Sequence, residues 1–464
     1  MSLTDNIKKW YKSIEGDKVI FLIFFFLTAL SVVLVLSSTS LEKDVVSGTS
    51  NRFEIFKDQI VGVILGFFCL FIIYKCIPTE FFIKLGIPAL LVSLFFSGML
   101  FQGHFTGWLV DSKSEPRAVH IGISIFVCEV LKVSLLYYLA WALERYTHKK
   151  TSLINWWASR SEKGTTIHKI LSSGLFKRTL MFYLPILFCC GCLAIGGTSS
   201  ALILGFMCYL VLCLGLEGGN LFKLLGLIVA FIILAFGLIM IIPESSLPSD
   251  SRLPTIKVRM KQAFNKEEID LRTLHGDEYK EELRYLQQIE GCKIAIQNGG
   301  FIGRGTGNSQ QKYVVPVIYA DYVFSFICEE YGLLGAFFVI FAYLTILARG
   351  RIIARGLKKD SFEQLVFVAL VVMITLQAFF HIAINLDLGP TTGQNLPLLS
   401  YGKSAFVCMS IAFGIILNLS KEAARAVQRE SAEAAPIVAH TEHFSEETQD
   451  TINDLNDFSN DEII

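Results

Sequence analysis

Charge is scarce in this chain of 464 residues: 18% are Asp, Glu, Lys or Arg, 53% are hydrophobic, and the formal net charge is zero. A soluble domain of this length carries more charge and does not gather its apolar residues into long runs. The zero balance also removes any global electrostatic case for a nucleic-acid partner. A disulfide framework is missing although cysteine is not. Most of the 11 cysteines, such as Cys69, Cys128, Cys208, Cys213 and Cys408, sit inside apolar runs. Cys189, Cys190 and Cys192 have no neighbouring His or acidic set and read first as small packing residues of an apolar helix, with a metal site as the remote alternative. Cys292, alone in an expected external loop, can form no bridge within it. No internal repeat of the transporter kind is visible, and no carboxylate cluster demands a metal.

What the sequence has instead is long apolar runs, rich in its 38 phenylalanines. About 20 such residues cross a hydrocarbon core of roughly 30 Å. Ten candidate spans begin near Lys18, Asp58, Phe81, His120, Leu180, Ser200, Leu221, Tyr322, Gln364 and Ser404. The run from Lys18 to Ser38 is too long for a signal-peptide core and reads as a retained first span. The expected fold is therefore an all-α polytopic membrane protein of about ten helices. Lys8, Lys9, Lys12 and Lys18, the loop from Arg145 to Arg178, and the loop with Arg349, Arg351, Arg355, Lys358 and Lys359 all fall on one side. By the positive-inside bias that side is cytoplasmic, and both termini share it.

Three parts follow from this layout: an amino-terminal segment over 1–17, a membrane domain over 18–420, and a tail over 421–464. From Glu430 onward the tail has ten Asp or Glu and no Lys or Arg, the composition of a disordered acidic segment. One loop, about 244–320 between the seventh and eighth spans, is out of scale with the rest and is expected outside the membrane. Within it, Ile256 to Phe264 is basic and amphipathic, suited to a membrane surface.

Three constellations could carry chemistry. The first has Gly299, Gly300, Gly303, Gly305 and Gly307 around Arg304, followed by Lys312 and then Asp321. Glycines let a backbone approach a ligand and point amides at an anion, and Arg304 adds a planar donor for phosphate. A flexible loop is the plain alternative. Asp321 is expected to open a helix at the outer interface. The second is Glu129 with Lys132 in the fourth span, where i, i+3 spacing lets two costly charges pair. A functional pair and an ion pair that merely joins helices weigh equally. The third runs from Gly389 to Ser404, broken by Pro and Gly. Non-helical backbone at membrane depth needs protein or a water-filled cavity around it, and in a simple connecting loop Leu396 to Leu399 would be exposed without reason.

At these residues the chain resembles the SEDS family (shape, elongation, division and sporulation proteins), the group of FtsW, RodA and SpoVE. The family's glycine-rich segment with Gln-Lys, proline and an Asp-aromatic pair matches Gly299 to Tyr322. Its Glu-Glu-x-Gly matches Glu329, Glu330 and Gly332; its Pro-Thr-x-Gly, Leu-Pro and Ser-Tyr-Gly block matches Pro390 to Gly402. Its Arg and Glu-x-x-Lys match Arg117, Glu129 and Lys132. The chain departs from the family pattern at Ala118, Val127-Cys128, Gly196-Gly197, Val317, Tyr319-Ala320 and Lys403.

The resemblance implies a peptidoglycan glycosyltransferase that polymerises lipid II outside the bacterial cytoplasmic membrane. It joins a GlcNAc 4-hydroxyl to MurNAc C1, with inversion and release of undecaprenyl diphosphate. Asp321 is then the candidate base. Arg117, Lys132, Arg304 and Lys403 are candidates for the diphosphate, with Glu129, Gly299, Gly300, Gly303 and Lys312 in the same substrate-binding set. A divalent cation could share that work; no other cofactor is implied. The implied partners are a cognate class B penicillin-binding protein and other membrane proteins of the division complex. The Pro-Thr-Thr-Gly-Gln block and the long tail look more FtsW-like, hence septal, than RodA-like. A lipid-precursor flippase or transporter, and a non-catalytic division scaffold, are the rival readings.

Overall fold

A chain that buries its backbone polar groups in lipid has the α-helix as its simplest solution, and helices dominate here. The structure, a computed structural model, describes residues 15–38, 52–106, 118–120, 124–148, 173–215, 277–388 and 393–429. The main helices are α1 (Lys18–Ser38), α2 (Arg52–Cys76), α3 (Gly86–Thr106), α4 (Val127–Thr147), α5 (Leu184–Gly196) and α6 (Thr198–Gly215), with short helices at Thr79–Phe82 and Gly174–Arg178 leading into α3 and α5. They continue with α7 (Asp277–Gly299), the single turn α8 (Ile318–Asp321), α9 (Val323–Arg355), α10 (Phe362–Asn385) and α11 (Lys403–Arg429). A small antiparallel hairpin, β1 (Ala118–His120) and β2 (Ser124–Phe126), precedes α4. The fourth helix therefore starts at Val127, several residues after the expected His120.

Eight of the described helices are long and apolar enough to cross a membrane. α4 has the length but carries Glu129, Lys132, Glu144 and Arg145. The protein is an all-α integral membrane protein. The expected span near Leu221, the basic stretch Ile256 to Phe264, Arg117 and the acidic tail from Glu430 lie outside the described residues.

Burial sorts the helices. In α10 and α11, 72% of the most apolar window is buried, against 22–44% in the other six apolar spans. α10 packs against both α4 and α9, and α3 joins α4 to α5. Phe25, Phe68, Phe95, Leu187 and Phe337 stay exposed. On a spanning helix these are the faces turned to lipid, where apolar exposure carries no penalty.

Polar pairs tie the helix ends. Asp17, before α1, accepts from Arg349 Nε of α9 at 2.8 Å, and its amide donates to Ser420 Oγ of α11 at 3.0 Å. Glu15 pairs with Arg425 at 2.8 Å, and Asn418 Nδ2 caps the carbonyl of Ile77 after α2 at 2.8 Å. The two ends of the described chain thus meet at one end of the bundle. Asp321, Ser37 and Asp58 lie at or near helix termini at the opposite end.

The large loop is not structureless where it is described. α7 packs along α9, and Lys293 bridges Glu290 at 3.0 Å and Asp387, just past α10, at 3.1 Å. Cys292 is buried there at 3% exposure, and burial pushes its thiol up to about 12.

With the basic end cytoplasmic, a membrane-impermeant maleimide on intact cells should label an Asn308→Cys protein and leave Cys292 unmodified. Exposed Cys76, at the opposite end, should react only after permeabilisation. Labelling of Cys76 in intact cells as fast as Asn308→Cys would reverse the orientation.

Candidate functional site

The segment 393–402 and the turn α8 fold against each other. Val317 precedes α8 with φ 54°, a left-handed conformation that is strained for a β-branched residue and persists only where its surroundings hold it. The surroundings are specific. Ser400 Oγ donates to the carbonyl of Ala320 at 2.6 Å, and the Tyr401 amide donates to the carbonyl of Tyr319 at 2.9 Å. Asn385 Nδ2 reaches the carbonyl of Asp321 at 3.4 Å, and the rings of Tyr319 and Tyr401 meet edge to face at 5.3 Å.

This junction borders a cavity of about 250 Å³ lined by Asp321, Glu129, Cys128, Ser200, Asn395 and Tyr401 among others. Asp321 does not begin the long helix, as the sequence suggested. It closes α8, and Tyr322, with φ −128° and ψ 28°, separates it from α9. This non-helical residue parts the two helices, and Asp321 lines the cavity instead of capping a span.

Glu129 and Lys132, in the first turns of α4, form an ion pair at 2.9 Å with both side chains almost fully buried. Lys132 Nζ also donates to Gln394 Oε1 at 2.9 Å, and Gln394 Nε2 donates to Ser200 Oγ at 2.9 Å. Gln377 Nε2 lies 3.3 Å from each Glu129 oxygen. The pair therefore joins α4, α6, α10 and the broken segment. Lys132 is 0% exposed and sits behind the cavity wall, not in it.

The glycine-rich loop is a different structure from the anion cradle expected of it. The amides of Arg304 and Gly305 donate to the carbonyls of Glu329 and Glu330, both at 2.9 Å, and that of Gly303 to Gly299 at 2.8 Å. The Gly307 amide donates to Glu330 Oε1 at 2.8 Å, and that of Gln310 to Glu329 Oε1 at 3.0 Å. Ser309 and Ser37 donate their hydroxyls to Glu329 and Glu330 respectively. Those amides are occupied by protein. The glycines are needed for close approach: Gly303 has φ 91° and Gly332 φ 66°, and a Cβ on Gly332 would come within 2.5 Å of the Gly303 nitrogen. Gly332 also breaks the helical path of α9 there.

The remaining candidates separate. Gly299 ends α7 and Gly300 opens the loop docked on α9, with Gly300 accepting from the Leu333 amide at 3.0 Å. Lys312 Nζ is held by the carbonyls of Gly307 at 2.8 Å and Ser37 at 3.2 Å. Arg304 is exposed. Lys403 pairs with Asp58 at 2.7 Å, and Tyr401 OH donates to the same Asp58 at 3.4 Å. Burial, with Asp58 adding to it, pushes the Tyr401 hydroxyl up, so it stays a donor. Arg117 lies outside the described residues. Among the described residues no group of three or more His, Cys, Asp and Glu could hold a metal ion.

Sequence reasoning missed Ser200, Gln377, His381 and Asn385, and gave Gln394, inside the block from Gly389 to Ser404, no role of its own; all five are nine-tenths or more buried. A signal was present: Gln377, His381 and Asn385 recur every four residues in an apolar run, marking one polar stripe on a membrane helix.

Residues 17–425 match the sequence signature of the cell cycle protein family of FtsW, RodA and SpoVE. The chain belongs to this family. Among curated relatives, a probable peptidoglycan glycosyltransferase FtsW of Caulobacter vibrioides is 37% identical over 135 residues, 29% of this chain and 34% of that one. Stage V sporulation protein E of Bacillus subtilis is 36% identical over 135 residues, 29% of this chain and 37% of that one. The matched stretch thus spans about a third of the length of these family members. In structure, the chain resembles one from a peptidoglycan synthase complex that coordinates polymerization and crosslinking, with TM-score 0.60 at 18% identity over 88% of this chain and 98% of that one. The rod shape determining protein RodA of Thermus thermophilus gives TM-score 0.52 at 18% identity over 89% and 98%. The structural likeness supports the family's fold.

Removing one partner of a buried ion pair leaves an uncompensated charge, at a cost of about 3–5 kcal/mol, more than removing both. Thermal unfolding in detergent should show Lys132→Met far less stable than the Glu129→Gln/Lys132→Met double variant. If the two single losses simply add in the double variant, the pair is not coupled.

Proposed function

We propose that this protein is a lipid II polymerase, a peptidoglycan glycosyltransferase of cell division in the FtsW manner. The observation that carries the reading is Asp321, an acidic residue lining a cavity at one end of a membrane bundle, on a turn pinned by three separate hydrogen bonds. Family membership and the names of the FtsW relatives support it.

In this reading Asp321 accepts the proton of the GlcNAc 4-hydroxyl as that oxygen bonds to MurNAc C1. The C1–O bond to the diphosphate breaks with inversion, and the bonding pair leaves with undecaprenyl diphosphate. Such a base contributes about 10²- to 10⁴-fold. Diphosphate leaves readily and needs fixed positive charge more than a proton. Exposed Arg304 remains a candidate for that charge, as do Lys403, half-exposed beside Asp58, and Arg117. Lys132 has a different role. Its ammonium is taken by Glu129 and Gln394, so it holds the wall of the cavity and does not touch the diphosphate. A divalent cation would share that stabilisation of the diphosphate. The site faces outward from the cytoplasmic membrane, at the septum, and both termini are cytoplasmic. A class B penicillin-binding protein and other division-complex membrane proteins are the partners; the likeness to a chain of a peptidoglycan synthase complex agrees with the first.

Asp321→Asn tests this. Asn has the same shape and loses only the basic oxygen. With purified protein, lipid II and the cognate penicillin-binding protein, glycan strands on a gel should fall at least about 100-fold, the low end for a missing base, while lipid II binding and folding persist. Polymerisation near the wild-type rate in a well-folded Asp321→Asn protein would return the flippase or scaffold reading to first place.

A further inference from the structure

Two side chains one helical turn apart on α10 grip two successive peptide groups. His381 Nδ1 lies 2.6 Å from the carbonyl oxygen of Gln394, and Gln377 Nε2 lies 3.0 Å from that of Asn395. A carbonyl only accepts, so chemistry assigns the hydrogen to Nδ1 and leaves His381 Nε2 facing the interior. Gln377 is oriented just as firmly, because its amide nitrogen also faces the Glu129 carboxylate, and its Oε1 is left over.

Those leftover atoms are informative. His381 Nε2 and Gln377 Oε1 are both buried without a hydrogen-bond partner, and each residue is 1% exposed. Unmatched polar atoms buried between membrane helices are destabilising. The donor side of each residue is used on a backbone carbonyl that an apolar pair would leave unpaired, and the acceptor side is left over. What the pair achieves is positional. The segment 393–402 reaches α8 through Ser400 to Ala320 and Tyr401 to Tyr319, two links on the peptides just before Asp321.

We propose that Gln377 and His381 form a two-point clamp on the Gln394 and Asn395 carbonyls that sets the segment 393–402 and, through it, the place of the Asp321 carboxylate, which makes both positioning residues for polymerisation. The inference rests on Asp321 as the base. A shift of about 1 Å in a reacting group lowers turnover by as much as 10²-fold while leaving remote substrate contacts in place. The clamp therefore acts on kcat and leaves KM nearly alone.

His381→Leu removes the donor, and His381→Asn restores one, since Asn Nδ2 is as many bonds from Cα as His Nδ1. Full-length protein in nanodiscs is followed in two ways: amide hydrogen exchange of peptides covering 318–322 and 393–402 without substrate, and steady-state polymerisation of lipid II. In His381→Leu, exchange of both peptides should rise about ten-fold and kcat should fall about ten- to a hundred-fold, with KM within about three-fold of wild type. His381→Asn should return both readouts to within about three-fold, and Gln377→Leu should behave like His381→Leu. Unchanged exchange in His381→Leu, a loss expressed only in KM, or a His381→Asn protein as impaired as His381→Leu would each overturn the clamp. Should His381→Leu fail to fold, Gln377→Leu and His381→Asn carry the same two readouts. Faster exchange in a protein whose wild type does not polymerise lipid II would support the clamp and reject the enzymatic reading separately.

Discussion

In the interior of a membrane protein a non-helical backbone survives only where protein replaces the hydrogen bonds that water would make. The segment 393–402 meets that constraint group by group. The carbonyls of Gln394 and Asn395 are held from α10, that of Pro397 by Tyr343 OH of α9 at 2.6 Å, and that of Leu399 by Ser31 Oγ of α1 at 3.1 Å. The amide of Leu396 donates to Ser400 Oγ at 2.7 Å, that of Tyr401 to Tyr319, and that of Gly402 to Gln59 of α2 at 3.3 Å. Four spans thus hold the backbone of one broken segment, which lines the cavity together with Asp321. Leu396, Leu398 and Leu399, all at most 2% exposed, fill the space beneath it.

That constraint explains where sequence reasoning succeeded. Apolar runs of bilayer length are a property of single segments, so α1, α9 and α10 were legible from Lys18, Tyr322 and Gln364 within two residues at their starts. The need to cover Leu396 to Leu399 was legible for the same reason, since a run of leucines in a loop has no other account. The Glu129 and Lys132 pair followed from spacing alone, and the structure joins them at 2.9 Å.

What was not legible depends on contacts between distant segments. The start of α4 moved from His120 to Val127 because β1 and β2 pair across the preceding residues, a choice that no periodicity announces. Asp321 read as a helix start because Tyr322 and Val323 continue an apolar run; the break at Tyr322 comes from the links of α8 to Ser400 and Tyr401, 80 residues away in sequence. His381, Gln377 and Gln394 looked ordinary singly, and their meaning appears only when α10 and the broken segment are adjacent.

The glycine-rich loop shows how one composition supports opposite chemistries. Five glycines in nine residues free amides to face an anion or free a backbone to lie flat on a helix, and the string itself does not choose. The choice is made by Glu329 and Glu330, which follow the string in sequence and are buried at 0% and 1% exposure. Buried carboxylates require donors, and the loop amides of Gly307, Gln310 and Gln311 together with the hydroxyls of Ser37 and Ser309 are those donors. The acidic pair and the glycine string are thus two halves of one device, in which the protein's own anions occupy the place a phosphate would take. The same device fixes the start of α9 against the end of α1, close in sequence to Asp321 on one side and to the Gly332 break on the other. The two supports act at different places: the broken segment holds the Asp321 turn through Ser400 and Tyr401, and the glycine loop holds the following helix α9 through Glu329 and Glu330.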